Sequence, residues 1–389
     1  MESAVLTEPY VLYNEETGLA YTNPNGGSSD NENDYSKEYL TFTALEDGTF
    51  SFIKYGTGDD IQYSLDNGGT WVSLASEATT PTITTGNQII WKSTITPKSS
   101  SGIGTFSSTG SFDAQGNVMS LLFGDEFNDK TTLTGKNYAF YQLFNVSKVV
   151  NASNLKLPAT KLSFDCYERM FQDCTSLITA PELPATTLAG SCYASMFSGC
   201  KTLTTAPELP ATTLITNCYN RLFADCTSLT TAPELPATTL ARNCYEAMFA
   251  NCYALKTAPE LPATTLDNAC YIAMFSSCTS LTTAPELPAT TLAYQCYSGM
   301  FSNCYALTTA PVLPATILTG NCYNNMFYYC ENLSEITMLA TDISASYCLS
   351  NWVSRVSSSG RFYKHPDMES LPSGVDGIPE GWAVEDAVV

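Results

Sequence analysis

All fifteen cysteines of this 389-residue chain fall in two columns that repeat every 26 residues. One column is Cys166, Cys192, Cys218, Cys244, Cys270, Cys296, Cys322 and Cys348; the other is Cys174, Cys200, Cys226, Cys252, Cys278, Cys304 and Cys330. Thiols in such numbers can bind a soft metal, form disulfides, or pack as small apolar side chains. The local spacing is Cys-x7-Cys, and the chain has a single histidine, His365. Zinc sites favour about two to four intervening residues and often recruit histidine, so metal binding is disfavoured and no cofactor is expected. Eight residues along a helix separate two Cα atoms by ~12 Å, beyond disulfide reach. Neighbours in one column are closer, but their side chains point the same way. We therefore read Cys192, Cys200, Cys218 and Cys226 as structural wedges, with a disulfide in some pair as the alternative. Cys348 is the thiol expected to be most exposed.

The lone histidine, expected at the surface, also excludes most Ser-His and Cys-His chemistry. Ser64-Leu-Asp-Asn-Gly-Gly-Thr-Trp71 is similar to the Asp-box hairpin of sialidases and other β-proteins. Asp66 can bond the turn amides, Gly68 supplies a positive φ, and Trp71 packs beneath. There is one copy, and no arginine precedes Arg169 to hold a sugar carboxylate, so Asp66 and Trp71 read as turn structure. A third column, Glu182, Glu208, Glu234, Glu260 and Glu286, would stack like charges, which places it at a solvated rim. Such a rim can solubilise, or hold a hard cation or a basic ligand. Thr205, Thr231, Thr257 and Thr283 form a hydroxyl ladder suited to sugar hydroxyls or to strand stacking. Tyr253, Tyr294 and Tyr305 are aromatics at otherwise small or polar places, as a varied recognition face would carry.

The elements that position these residues follow from the repeat. Each unit reads Leu-Thr-Thr-Ala-Pro-Glu-Leu-Pro-Ala-Thr-Thr-Leu, three variable residues, then Cys-Tyr-x-x-Met-Phe-x-x-Cys. Cys192, Tyr193, Met196, Phe197 and Cys200 sit at offsets 0, 1, 4, 5 and 8, which predicts one apolar face of a helix. Ser191 and Asn217 stand where helix caps would be. Leu203 and Leu229 open short strands that the following prolines end. A unit of this kind cannot bury its face alone, so units must stack, with Phe197 and Phe223 in the shared interior. The fold class expected is α+β: a β-sandwich-like domain at 36–110 after a flexible segment at 1–35, a junction and cap repeat at 111–162, a strand–turn–helix solenoid at 163–348, and a C-terminal cap at 349–389. In the first domain, residues 40–44 and 49–53 around Glu46-Asp47-Gly48 predict one hairpin, and 61–64 with 70–74 a second. Residues 97–110, rich in Ser and Gly, predict a linker or long loop.

The motif Leu-Pro-Ala-Thr-Thr-Leu…Cys-Tyr-x-x-Met-Phe-x-x-Cys-x-x-Leu resembles the BspA-like leucine-rich repeats of gut bacterial surface proteins. Residues 39–52, the stretch Gly116-Asn-Val-Met-Ser-Leu-Leu122 and the ending Gly377-Ile-Pro-Glu-Gly-Trp382 are similar to the β-domain, junction and terminus around such arrays. The resemblance implies a non-catalytic recognition or adhesion protein at the cell surface or outside the cell, presenting a repeat-built surface to a protein or glycan. Similar sequences also belong to phages of such bacteria, which implies the alternative of a virion component, a tail fibre or head decoration, with oligomer or virion partners through the N-terminal domain. The opening residues lack a basic stretch followed by an apolar one, so no secretory signal is read there. Seventeen basic against thirty-eight acidic residues give a net charge of −21, which repels phosphates, so no nucleic-acid partner is expected. No run of ~18 apolar residues predicts membrane insertion.

Overall fold

The computed structural model describes residues 38–368 and 370–388, together with the backbone of a two-strand pair, β1 (Leu12–Tyr13) and β2 (Ala20–Tyr21). Apart from that pair, the expected flexible segment 1–35 lies outside the described residues. Residues from Glu38 onward cluster as one compact unit.

That unit begins with β-structure built around aromatic residues. Strands β3 (Leu40–Ala44), β5 (Ile61–Ser64), β6 (Val72–Leu74), β7 (Gln88–Lys92) and β9 (Phe112–Asn117) join one sheet, while β4 (Phe50–Lys54) pairs with β8 (Gly104–Ser108) in a second, two-stranded sheet. Phe42 of β3 is fully buried, with ring centroids of Phe50, Phe106, Phe112 and Trp91 4.7–5.6 Å away. The expected β5–β6 hairpin forms, with Ile61 opposite Leu74. The hairpin expected around Glu46-Asp47-Gly48 does not, because β3 pairs with β7 and β9 whereas β4 crosses to β8. Asp47 instead receives the Thr85 amide (2.8 Å) and hydroxyl (2.9 Å), which ties the crossing to a neighbouring loop. Gly48 is needed there, since a Cβ would sit 2.5 Å from the Gly110 nitrogen. The expected linker at 97–110 contains β8, whose Phe106 is a core residue.

Strand β9 is the junction. It pairs antiparallel with β3 on one edge and parallel with β10 (Val149–Asn151) and β11 (Leu155–Lys156) on the other. From Asn151 a column of parallel bridges runs along the stack, through Thr179, then Thr205 to Thr231, Thr257 to Thr283 and Thr309 to Glu335. It ends in a parallel sheet of β12 (Glu335–Met338), β13 (Arg361–Lys364) and β14 (Ala383–Asp386). One hydrophobic core extends from Leu40 to Trp382. The 26-residue units therefore stack coil on coil, and the first coil adds directly to the β-sheet.

The expected helix in each coil is absent. The α-helical residues among those described are Ser120–Phe123, followed by a short 3-10 turn at Gly124–Glu126. Across residues 192–200 alternate N–H groups close turns onto the carbonyl three residues back, as from Met196 to Tyr193 (3.1 Å) and Ser198 to Ser195 (3.2 Å). The intervening N–H groups donate to the next coil: Tyr193 to Cys218 (3.1 Å), Ser195 to Asn220 (2.8 Å) and Phe197 to Leu222 (3.0 Å). Every fourth residue has positive φ, as in Ser191 (50°), Ser195 (53°) and Gly199 (80°), then Asn217 (59°), Arg221 (53°) and Asp225 (62°). Left-handed residues at that spacing break a helix, which needs φ near −63° throughout. Ser191 and Asn217, expected as helix caps, are the first left-handed residue of their coils. Inward side chains then recur in pairs every four residues, and this produces offsets 0, 1, 4, 5 and 8 without a helix.

The core gains from this regularity. The Phe column stacks ring on ring, with Phe171–Phe197 at 5.6 Å and Phe197–Phe223 at 5.7 Å, their planes nearly parallel. The Tyr column beside it does the same, with Tyr193–Tyr219 at 6.0 Å. Both columns end on Trp352, 6.5 Å from Tyr323 and 6.2 Å from Phe327. Trp352 donates its indole N–H to the Gly377 carbonyl (2.9 Å), and Trp382 donates to Ser357 (2.8 Å). Each buried ring of this size is worth about 2 kcal/mol of burial, so a covered end is worth as much as an added coil contact.

Candidate recognition surface

The thiols sit inside the stack. All fifteen cysteines are buried and unpaired. The second column has a hydrogen-bonding role: Cys200 donates its S–H to Phe171 O (3.2 Å), Cys226 to Phe197 O (3.1 Å) and Cys252 to Phe223 O (3.2 Å). Phe197 O also accepts the Cys200 N–H of its own coil (3.0 Å), so one inward carbonyl is satisfied by two coils. Burial pushes the Cys218 and Cys174 thiols up to about 12, which removes thiolate reactivity at neutral pH. Leu203 and Leu229 are fully buried beside them, as are Phe197 and Phe223. Among the described residues no group of three or more His, Cys, Asp or Glu is placed to hold a metal.

Asp66 and Trp71 sit together in the β5–β6 turn. Ser64 Oγ donates to Asp66 Oδ1 (2.6 Å), and the Thr70 amide (2.8 Å) and hydroxyl (2.6 Å) bond the same carboxylate. Those bonds, Ser64 first, hold the Asp66 pKa down at about 2. Asn67 (φ 54°) and Gly68 (φ 91°) make the turn. Trp71 lies between Tyr39, edge-on at 5.1 Å, and the Lys92 ammonium, 4.1 Å from its ring. A cleft of about 220 Å³ near it is walled in part by Asp60, Lys92 and Asp125. Two of its carboxylates are paired, Asp60 with Lys54 at 2.6 Å and Asp125 with Lys92 at 3.0 Å, and Asp59 adds a further acid to its wall. His365, expected at the surface, is only 19% exposed and accepts the Asp367 amide through Nδ1 (3.1 Å).

The sequence-predicted surface residues lie on different parts of each coil. Glu182, Glu208, Glu234, Glu260 and Glu286 are all exposed, and among the described residues none of them enters an ion pair. Thr205, Thr231, Thr257 and Thr283 are exposed in the column of parallel bridges. In the adjacent column threonine hydroxyls bind coils together, Thr230 Oγ1 donating to Thr204 O (3.1 Å) and Thr282 Oγ1 to Lys256 O (3.3 Å). Tyr253 and Tyr305, each next to a second-column cysteine, are two coils apart. Tyr294 lies at the other end of the turn segment, so the three tyrosines do not form one patch.

Two arrangements escaped the sequence reading. At the first coil, the carboxyls of Asp165 and Glu168 lie close together beside Arg169, Tyr138 and Tyr141. Burial, and then the neighbouring Asp165, raise Glu168 to about 7. Arg169 Nε lies 3.3 Å from Glu168 Oε1, and its Nη1 donates to the Tyr141 hydroxyl (3.4 Å). The second arrangement is an aromatic ring resting on a glycine of the next coil, which occurs twice, as Phe164 over Gly190 and Tyr294 over Gly320.

No helix among the described residues is long and apolar enough to cross a membrane. Compared with known proteins, residues 132–282 and 271–356 match the family described as BspA type leucine rich repeat region, in six copies. No curated protein and no solved structure matches the chain.

Proposed function

Because the chain belongs to the BspA-type leucine-rich-repeat family, we propose that it is a non-catalytic recognition protein, acting at a cell surface or outside the cell and binding a protein or glycan through its stacked coils. Proteins of this family are typically surface-associated repeat proteins without catalytic function. One observation carries the reading: the thiols, rings and leucines that recur from unit to unit are buried, while Thr216, Arg242, Asn268 and Tyr294, which differ at one position of the unit, are exposed. A fixed interior with a varied exterior is the arrangement of a binding scaffold. The thiols are buried and raised in pKa, and those of the second column are engaged as donors, which argues against a nucleophilic role. The test is binding of the pure full chain to a glycan array and to immobilised extracellular-matrix proteins, alongside an assay for turnover of sialosides and polysaccharides. Saturable binding without turnover supports the proposal, and turnover overturns it.

A second reading, a virion component such as a tail fibre or head decoration, draws on the same thiols. A core whose cysteines are unpaired needs no oxidising compartment to fold. Genome neighbours encoding tail or capsid proteins would decide for this reading.

A further inference from the structure

The column two residues before each first cysteine behaves unlike the rest of the repeat. Its occupants include Phe164, Thr216, Arg242, Asn268 and Tyr294, so the core places no common demand on it. At two places an aromatic ring is followed one coil later by glycine. A Cβ on Gly190 would lie 3.1 Å from Phe164 Cδ2, and one on Gly320 would lie 3.2 Å from Tyr294 Cδ2. Each ring therefore rests on bare backbone, where any other residue would lift it. Tyr294 is fixed twice more: its amide donates to Asn268 Oδ1 (3.2 Å), and its hydroxyl accepts from Asn321 Nδ2 (3.2 Å). Both rings stay open to solvent, Phe164 at 44% and Tyr294 at 50%.

Exposed aromatic rings are costly to keep in water, and a ring held in one orientation loses little entropy when a ligand covers it. The two rings lie five coils apart in one column, about 24 Å at ~4.8 Å per coil. Between them Thr216, Arg242 and Asn268 offer donors and acceptors in the same line. A net charge of −21 disfavours a polyanion. A ligand that is linear, uncharged, apolar on one ring face and hydroxylated at its edges matches all of this. The geometry points to a binding track for a neutral linear polysaccharide, with pyranose faces stacked on Phe164 and Tyr294 and hydroxyls bonded by the residues between. This rests on the recognition function proposed above and gives it a ligand class and a place.

The test is affinity electrophoresis of the full chain through gels containing mannan, galactomannan, xyloglucan, mixed-linkage β-glucan or dextran, with polygalacturonate as the charged control. At least one neutral polymer should retard the protein, and polygalacturonate should not. Tyr294→Ala and Phe164→Ala should each weaken that retardation about tenfold, Tyr294→Phe should retain it, and Tyr55→Ala, an exposed ring of the β-structure outside the column, should leave it unchanged. Urea midpoints equal to that of the parent chain show that the variants remain folded. The track is refuted if no neutral polymer retards the protein, or if Tyr55→Ala costs as much as Tyr294→Ala. Saturable binding to a pure matrix protein with no retardation by any neutral polymer refutes the track while leaving the recognition function standing. Binding to neither class defeats both.

Discussion

Replacing Glu168 by glutamine should stabilise the protein at alkaline pH and do little at pH 5. Glu168 has its pKa raised from 4.5 to about 7, first by burial and then by Asp165 beside it. A carboxyl with a raised folded-state pKa holds its proton longer in the native state than in the unfolded chain. Stability therefore falls as pH rises from 4.5 to 7 and levels off above. At about 1.4 kcal/mol per pH unit the full interval corresponds to about 3 kcal/mol. Part of that belongs to Asp165, whose carboxyl shares the proton, and partial solvent access reduces it further. We expect a difference of about 1–2 kcal/mol between the parent chain and Glu168→Gln at pH 8, vanishing near pH 5. Glutamine keeps the shape of the side chain while the second charge is removed. Urea unfolding followed by tryptophan fluorescence at half-unit pH steps reads the difference directly. Parallel stability curves for the two proteins across that range would refute the argument, as would a larger advantage for the parent chain at pH 8.

Two further expectations follow from the interior. The native protein should resist a water-soluble thiol reagent at pH 8, with Cys348 the first to react, since it lies in the last cysteine-bearing coil and keeps 5% exposure where the other fourteen keep none. Denaturant should release all fifteen thiols, and rapid reaction of several in the native protein would contradict their placement. Trp352→Ala should cost about 3–5 kcal/mol, because it uncovers both ring columns at one end and strips the Gly377 carbonyl of its donor. A loss under about 1 kcal/mol in chemical denaturation would mean the end is not sealed there.

How far the sequence could be read depended on whether a pattern has one structural meaning. The period of 26 has one: Cys226, Phe223 and Leu229 recur because coils stack, and all three are fully buried. Offsets 0, 1, 4, 5 and 8 have two meanings, since paired inward residues every four positions suit a helix face as well as a chain of turns. The discriminating signal was present in Asp173, Gly199, Asp225, Asn251 and Asn303, residue types that tolerate left-handed φ, all in one column. Asp47 and Gly48 likewise serve a crossing between sheets as well as they serve a hairpin. The Glu168 pair was illegible because acid residues three apart beside an arginine are common. Only the coil geometry, with Asp165 and Arg169 both left-handed, brings them together with Tyr138 and Tyr141.

The central claim is that the coils are chains of turns with a left-handed residue every fourth position, hydrogen-bonded to the next coil. Ser277 tests it most directly. Its φ is 62°, its amide donates to Ser302 O (2.7 Å), and Gly199 already occupies the same place in another coil. Relieved of left-handed strain, Ser277→Gly should gain about 0.5–1 kcal/mol in urea unfolding, after allowing for the freer unfolded chain. In a helix the same change would lose about 0.5 kcal/mol, and a loss of that size would contradict the account.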